Sequence, residues 1–299
     1  MRFWQTHLRP TVVLAAALVF LRIGPAEAEK TLPPTCRNTA FDLPITEEDH
    51  GTTPIASLHL GELGEQRVIL DTGMGLNGIL IGEPNFTPET KQWHDFKIVP
   101  VSETGQAIHL FAVSLPVSLA DDIYTTTGSR YIINPMLLSQ SGFTVMDLKH
   151  KRLIGFAKEQ DLRRCYGHGT LSKILYNEAT VGDVYIDARI DGKIDGRVAV
   201  DTGAYLTEFY HPGLRDDAAE LTPEMAYYRL TGERFVPNLS HHHALQIGPT
   251  THDLQTVAVP AGGNAMTRTY PAARIGYASL RQSILIFPPQ GLGYWELIF

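Results

Sequence analysis

The tripeptide Asp-Thr-Gly occurs twice, and its two aspartates are the residues of this sequence best suited to do chemistry. The first copy is Asp71–Gly73 and the second is Asp201–Gly203, 130 residues later. Each follows a short apolar run, in RVILDTG and RVAVDTG, so each aspartate is expected at the end of a buried strand. Asp and Gly also form ordinary turns, but two copies in the same context favour a shared role.

Two such turns that meet across a pseudo-twofold axis would place Asp71 and Asp201 in one site. Like charges about 3 Å apart cannot both ionise, so the pair would hold a single proton. One carboxylate can then deprotonate a bound water while the protonated partner hydrogen-bonds a carbonyl oxygen, and a tetrahedral intermediate forms without a covalent adduct. Hydroxyl hydrogen bonds and glycine's tolerance of close approach would support this arrangement. The supporting residues are Thr72, Gly73, Thr202 and Gly203.

A second element recurs in the same order and indicates an internal duplication. YIINPMLL begins at Tyr131 and RIGYASL begins at Arg274, each downstream of its own Asp-Thr-Gly. Two features repeated at about one domain length are the mark of duplicated halves. Short apolar runs broken by turn residues predict a mostly antiparallel all-β fold. Short helices are predicted near 136–139 and 223–228.

With these motifs, the chain resembles the aspartic peptidase family, in both its pepsin-like and its retropepsin-like branches. The resemblance rests on VILDTGMG, VAVDTGAY and RIGYASL and covers most of residues 51–299. The short lobes look like retropepsin subunits or bacterial periplasmic relatives. The resemblance implies an all-β fold of two similar β-barrel-like lobes with an interlobe cleft. It also implies Asp71 and Asp201 as the catalytic dyad, a peptide or protein substrate, and no cofactor.

The domain organisation expected from this plan has five parts. They are a signal peptide (1–28), an N-terminal tail (29–50), a first lobe (51–160), an interlobe linker (161–178) and a second lobe (179–299). Because one chain holds both halves, we expect a monomer.

Family members close a β-hairpin flap over the substrate, and each half has a candidate. Residues 101–107 contain Thr104 and Gly105, and residues 229–234 contain Thr231 and Gly232. Each has a Gly between strand-like runs. An ordinary surface hairpin explains either segment equally well.

Two departures from the family pattern support an alternative function. Met74 stands where the family has Ser, Thr or Ala, and Asn134 stands where Gly is expected. A bulky thioether beside Asp71 could block the water. Asn tolerates a left-handed backbone better than most residues, so we expect the turn at Asn134 to keep the left-handed conformation that Gly would adopt. The alternative is a catalytically inactive peptide-binding protein with the same fold.

The first 28 residues have the pattern of a cleaved secretory signal. Arg2 and Arg9 precede the uncharged run Thr11–Leu21, which is too short to span a bilayer, and Ala-Glu-Ala follows at 26–28. Removing this segment takes away a net charge of +2 and leaves −9 from the −7 of the whole chain. We therefore expect an exported protein, periplasmic or secreted, with no stable membrane anchor and no nucleic-acid partner.

The remaining candidate sites are weaker. Cys36 and Cys165 are the only cysteines, and in an oxidising compartment they could form a disulfide or remain two separate thiols. His241 and His243 would share one face of a strand, but a third ligand is unspecified, so a polar strand is favoured over a metal site. No metal is predicted.

Overall fold

The structure is a computed structural model, and its described residues are 36–47, 53–74, 78–81, 93–99, 107–114, 124, 127–139, 142–168, 170–173, 184–205, 207–209, 219–220, 227–228, 234–235, 238–258, 273–289 and 294–299. The predicted signal segment lies outside them.

The described residues form mostly β-strands with few helices, which confirms the all-β class. The strands are β1 (Thr39–Pro44), β2 (Thr46–Glu47), β3 (Pro54–Leu60), β4 (Glu65–Leu70), β5 (Gly78–Ile81), β6 (Trp93–Val99), β7 (Ala107–Ser114), β8 (Tyr131–Ile133), β9 (Phe143–Asp147), β10 (Arg152–Phe156), β11 (Thr170–Lys173), β12 (Tyr185–Ile190), β13 (Ile194–Asp201), β14 (Glu208–Phe209), β15 (Ala219–Glu220), β16 (Tyr227–Tyr228), β17 (Arg234–Phe235), β18 (Asn238–Ile247), β19 (Thr250–Ala258), β20 (Ala273–Gly276), β21 (Ile284–Phe287) and β22 (Tyr294–Ile298). The helices are α1 (Glu159–Tyr166) and α2 (Tyr277–Leu280), with 3-10 helices at Gly61–Leu63 and Pro135–Ser139.

Two sheets repeat one topology, as the duplicated motifs predict. In the first ring, strands pair in the order β3-β4-β8-β5-β7-β6, and β6 returns to pair with β3. In the second ring, the order is β12-β13-β20-β14-β19-β18, and β18 returns to pair with β12. Each parallel or antiparallel pairing in one ring has the same sense in the other. The two halves therefore have equivalent strand pairings.

A third sheet joins strands from both halves of the chain. It is antiparallel throughout, in the order β1-β10-β9-β21-β22-β11. Strand β1 comes from the segment predicted as a tail, and β11 and most of α1 come from the predicted linker. Both segments thus contribute regular structure, while the lobe boundaries stay predictions.

A disulfide fastens the N-terminal segment to α1. Cys36 and Cys165 are bonded, with their Cα atoms 5.3 Å apart. Both pack against an apolar cluster formed by β9, β10, α1 and β21, which includes Phe143, Phe156 and Leu162. Of the two possibilities raised by the sequence, the disulfide is therefore confirmed and two separate thiols are not found.

The two helix predictions have different outcomes. The segment near 136–139 forms the 3-10 helix Pro135–Ser139. The prediction for 223–228 is wrong at its end, because Tyr227 and Tyr228 form β16 and pair with β17. The aromatic residues there favour a strand over the helix that the nearby proline suggested. Within the part of the chain that the structure describes, no helix has the length and apolar character needed to cross a membrane.

Candidate active site

Asp71 and Asp201 occupy equivalent positions in the two rings. Asp71 directly follows β4, and Asp201 is the last residue of β13. The strands before them are buried at their ends, since Val68, Leu70, Val198 and Val200 are fully enclosed. Each strand pairs in parallel with the repeated second element, β8 or β20, and the N–H of Asp71 donates to the Ile133 carbonyl over 2.9 Å. This pairing fixes where each carboxyl leaves the sheet.

The two turns are locked together by a reciprocal pair of threonines. The Thr72 N–H donates to Thr202 Oγ1, and the Thr202 N–H donates to Thr72 Oγ1, each over 3.0 Å. The Thr72 hydroxyl donates to the Val200 carbonyl at 2.7 Å, and the Thr202 hydroxyl donates to the Leu70 carbonyl at 2.6 Å. Both threonines are fully buried. Four hydrogen bonds that cross between the halves therefore hold the aspartates in register.

Gly73 and Gly203 are required by the closeness of the opposite carboxyl groups. A Cβ placed on Gly73 would collide with the carboxyl of Asp201, and a Cβ on Gly203 would collide with that of Asp71. The glycine N–H groups turn back to their own aspartates, at 2.8 Å for Gly73 to Asp71 Oδ1 and 2.9 Å for Gly203 to Asp201 Oδ1. Any larger residue would push the two acids apart.

The two carboxyl groups are buried and share a hydrogen bond. Asp71 is 4% exposed and Asp201 is 7% exposed. Burial raises the pKa of Asp71 well above its usual range, and the charge of Asp201 and the hydrogen bond between them raise it further. A hydrogen bond between two carboxyl groups requires a proton on one of them. This pair is therefore built to hold one proton and one negative charge.

Arg274 adjoins the pair and Glu208 lies beyond Arg274, and sequence reasoning missed both. Arg274 Nε lies 3.2 Å from Asp201 Oδ2, and its Nη1 lies 3.9 Å from Glu208 Oε2. The available signal was the Arg of RIGYASL, a charge that replaces an isoleucine of the matching YIINPMLL.

Met74 lies against the first ring. Its side chain packs on a cluster of Ile55, Ile69 and Ile132. Met74 N–H reaches the backbone carbonyl of Asp71 at 3.4 Å. The Met74 side chain thus packs against residues of β3, β4 and β8, and β4 is the strand that leads into Asp71.

Asn134 stands where glycine is expected, and its side chain makes hydrogen bonds that hold the turn in place. The expectation of a left-handed backbone there is wrong, because its φ is not positive. Its amide donates to the Met74 carbonyl at 2.5 Å and its Oδ1 accepts from the Met136 N–H at 3.0 Å. The asparagine ties the Asp71 turn to the 3-10 helix that follows β8, a contact that glycine could not make.

The flap residues Thr104, Gly105, Thr231 and Gly232 lie outside the described residues. The strands beside them are described: β6 pairs antiparallel with β7, and β16 pairs antiparallel with β17. Such pairing is what a hairpin at each place requires. Their role as flaps stays a prediction.

His243 has a partner within the protein. His243 is buried, and its Nδ1 lies 2.5 Å from Oδ2 of Asp191. The other carboxylate oxygen of Asp191, Oδ1, accepts a hydrogen bond from the Ala244 N–H. Among the described side chains, no group of three or more His, Cys, Asp or Glu is arranged to hold a metal ion.

Comparison with solved structures finds chains that match this one. No protein-family model matches the chain, and no curated protein matches it. The chain is similar to the crystal structure of an aspartic proteinase from Irpex lacteus, at 11% sequence identity and a TM-score of 0.49. The similarity covers 86% of this chain and 96% of that one.

Proposed function

We propose that this chain is an exported aspartic endopeptidase that hydrolyses peptide bonds with a water activated between Asp71 and Asp201. The observation that carries the proposal is the buried, hydrogen-bonded pair of carboxyl groups, which the reciprocal threonines hold together. Two carboxyls that share a proton supply both a base and an acid at one point.

In the proposed reaction, the ionised carboxylate accepts a proton from water as the water oxygen bonds to the peptide carbonyl carbon. The protonated carboxyl donates to the carbonyl oxygen, and a tetrahedral intermediate forms. The C–N bond then breaks as the carboxyl that took the water proton passes it to the leaving nitrogen. The other carboxylate takes back a proton from a hydroxyl of the intermediate as the new carbonyl forms, which regenerates a dyad with one proton. We expect an extended peptide to bind by strand-like backbone pairing.

The proposed location is outside the cytoplasm. The disulfide between Cys36 and Cys165 supports it, because such bonds persist in oxidising compartments. The signal-like pattern of residues 1–28 points the same way.

The test is hydrolysis of casein across pH by the purified protein and by D71N and D201N. We expect both variants to lose hydrolysis at every pH, since neither retains an acid and a base. D195N is the matched control, because Asp195 lies on β13 like Asp201 but is exposed and paired with Arg189. Full activity in D71N would refute the assignment. Peptide binding that survives both substitutions, with no hydrolysis by the wild type, would favour the non-catalytic alternative.

A further inference from the structure

The two halves have equivalent backbones but differ in charge beside the dyad. In the first ring, Ile69 pairs with Ile132 one step before Leu70 pairs with Ile133. In the second ring, Ala199 pairs with Arg274 at the corresponding step. Arg274 therefore occupies the position of Ile132, which is buried in an apolar cluster. The charge beside Asp201 has no counterpart at the equivalent position beside Asp71.

A buried acid holds Arg274 from its other side. Glu208 lies opposite Arg274 in the antiparallel pair β14–β20, where the first ring pairs Leu80 with Ile132. Glu208 is 3% exposed and Arg274 is 35% exposed. An arginine between two carboxylates loses little side-chain freedom on making a further contact. Its position next to Asp201 is thus fixed by the fold.

The hydrogen bonds to the two carboxyl groups also favour a negative charge on Asp201 over one on Asp71. Asp201 Oδ1 accepts from the N–H groups of Gly203 and Ala204, at 2.9 and 3.0 Å, and Oδ2 faces Arg274. Asp71 Oδ1 accepts from Gly73, but the Met74 N–H points to the Asp71 backbone carbonyl. Donors stabilise the ionised form of a carboxyl. Asp201 is therefore the better site for the negative charge.

We propose that Arg274 is a positioning residue that keeps Asp201 ionised, so that Asp71 carries the proton the two acids share. This inference rests on the proposed function and assigns its two roles: Asp201 is the base for water and Asp71 is the acid for the carbonyl oxygen. In the described part of the chain, the charged groups at the dyad are Asp71, Asp201, Arg274 and, beyond Arg274, Glu208. The raised pKa of Asp71 has the sign that the assignment requires.

The first test is the pH profile of kcat/KM for R274M. Removing the positive charge makes every ionised state of the dyad less favourable, so both limbs of the profile should move to higher pH. A nearby opposite charge moves a carboxyl by 1–3 pH units, and the partial exposure of Arg274 and its contact with Glu208 suggest about one unit here. R274K keeps the charge and should shift the profile less. A purely structural role for Arg274 would lower kcat/KM without moving the limbs.

R189M is the matched control, because Arg189 also pairs with an aspartate in the second ring. That pair, Arg189–Asp195, lies at the far end of the β12–β13 hairpin, six residues and about 20 Å before Asp201 along the strand. Its profile should coincide with that of the wild type. Equal shifts in R189M and R274M would overturn the proposal.

The second test needs no activity. Carbon-13 NMR of the aspartate carboxyls in the wild type, assigned with D71N and D201N, reports which acid takes the first proton as pH falls. We expect Asp71. Protonation of Asp201 first would overturn the role of Arg274 even if hydrolysis is found. Protonation of Asp71 first in a protein without hydrolysis would support the charge placement while the peptidase proposal fails.

Discussion

Replacing Thr72 by valine measures how strongly the reciprocal threonines hold the two halves together. Valine keeps the shape but removes the hydroxyl, so the Val200 carbonyl loses a donor and the Thr202 N–H loses its acceptor. Both hydrogen bonds are buried. A buried group left without a partner costs about 1–3 kcal/mol. With two such groups, we expect T72V to lose about 2–4 kcal/mol of unfolding free energy.

The assay is urea unfolding followed by tryptophan fluorescence, for which the fully buried Trp295 is a reporter. T72S is the matched control, because serine keeps the hydroxyl and loses a single methyl, worth about 1 kcal/mol. T202V should match T72V, since Thr202 makes the mirror-image contacts to Leu70 and Thr72. A loss in T72V no larger than in T72S would refute the view that these hydroxyls bind the halves together.

Two further predictions concern the stability of the fold. The pKa of Asp71 is raised in the folded protein. As pH rises above about 4, Asp71 therefore ionises in the unfolded chain while it stays protonated in the folded protein, so the unfolding free energy of the wild type falls as pH rises. D71N cannot ionise, so its thermal stability relative to the wild type should increase between pH 4 and 7; a constant difference would contradict a raised pKa. The disulfide joins residues 129 apart, so C36S/C165S should lose about 4–5 kcal/mol in urea unfolding through the freer unfolded chain. A loss below about 1 kcal/mol would contradict that constraint.

The duplicated fold could be predicted because its signals are local. Short apolar runs before Asp71 and Asp201 specify buried strands, and repetition of the pattern indicates that the rest of each half repeats too. The rings confirm this, strand for strand. The third sheet was beyond such reasoning, because it pairs β9 with β21, which lie far apart in sequence. The local sequence pattern of either strand does not indicate which strand it pairs with.

The charges around the dyad could not be predicted, because they depend on register. Arg274 meets Asp201 only because β20 lies parallel to β13 with Gly276 opposite Asp201. Asn134 shows the same limit. Sequence reasoning treated it as a glycine substitute that tolerates an unusual backbone, whereas its amide group makes the contacts that matter. Sequence reasoning therefore singled out Asn134 for the wrong reason and did not single out Arg274 as a site residue at all.

A single chain permits an asymmetry that identical subunits cannot have. A dimer of identical halves with an arginine at the position of Arg274 would place one beside each aspartate, and two positive charges would favour ionisation of both acids. With isoleucine at both positions, neither acid would be preferred. The present chain has Arg274 on one side and Ile132 on the other. Because the two halves are parts of one chain, a residue can differ between them and so determine which aspartate keeps the proton. The hydrogen bonds between the two threonines remain symmetric.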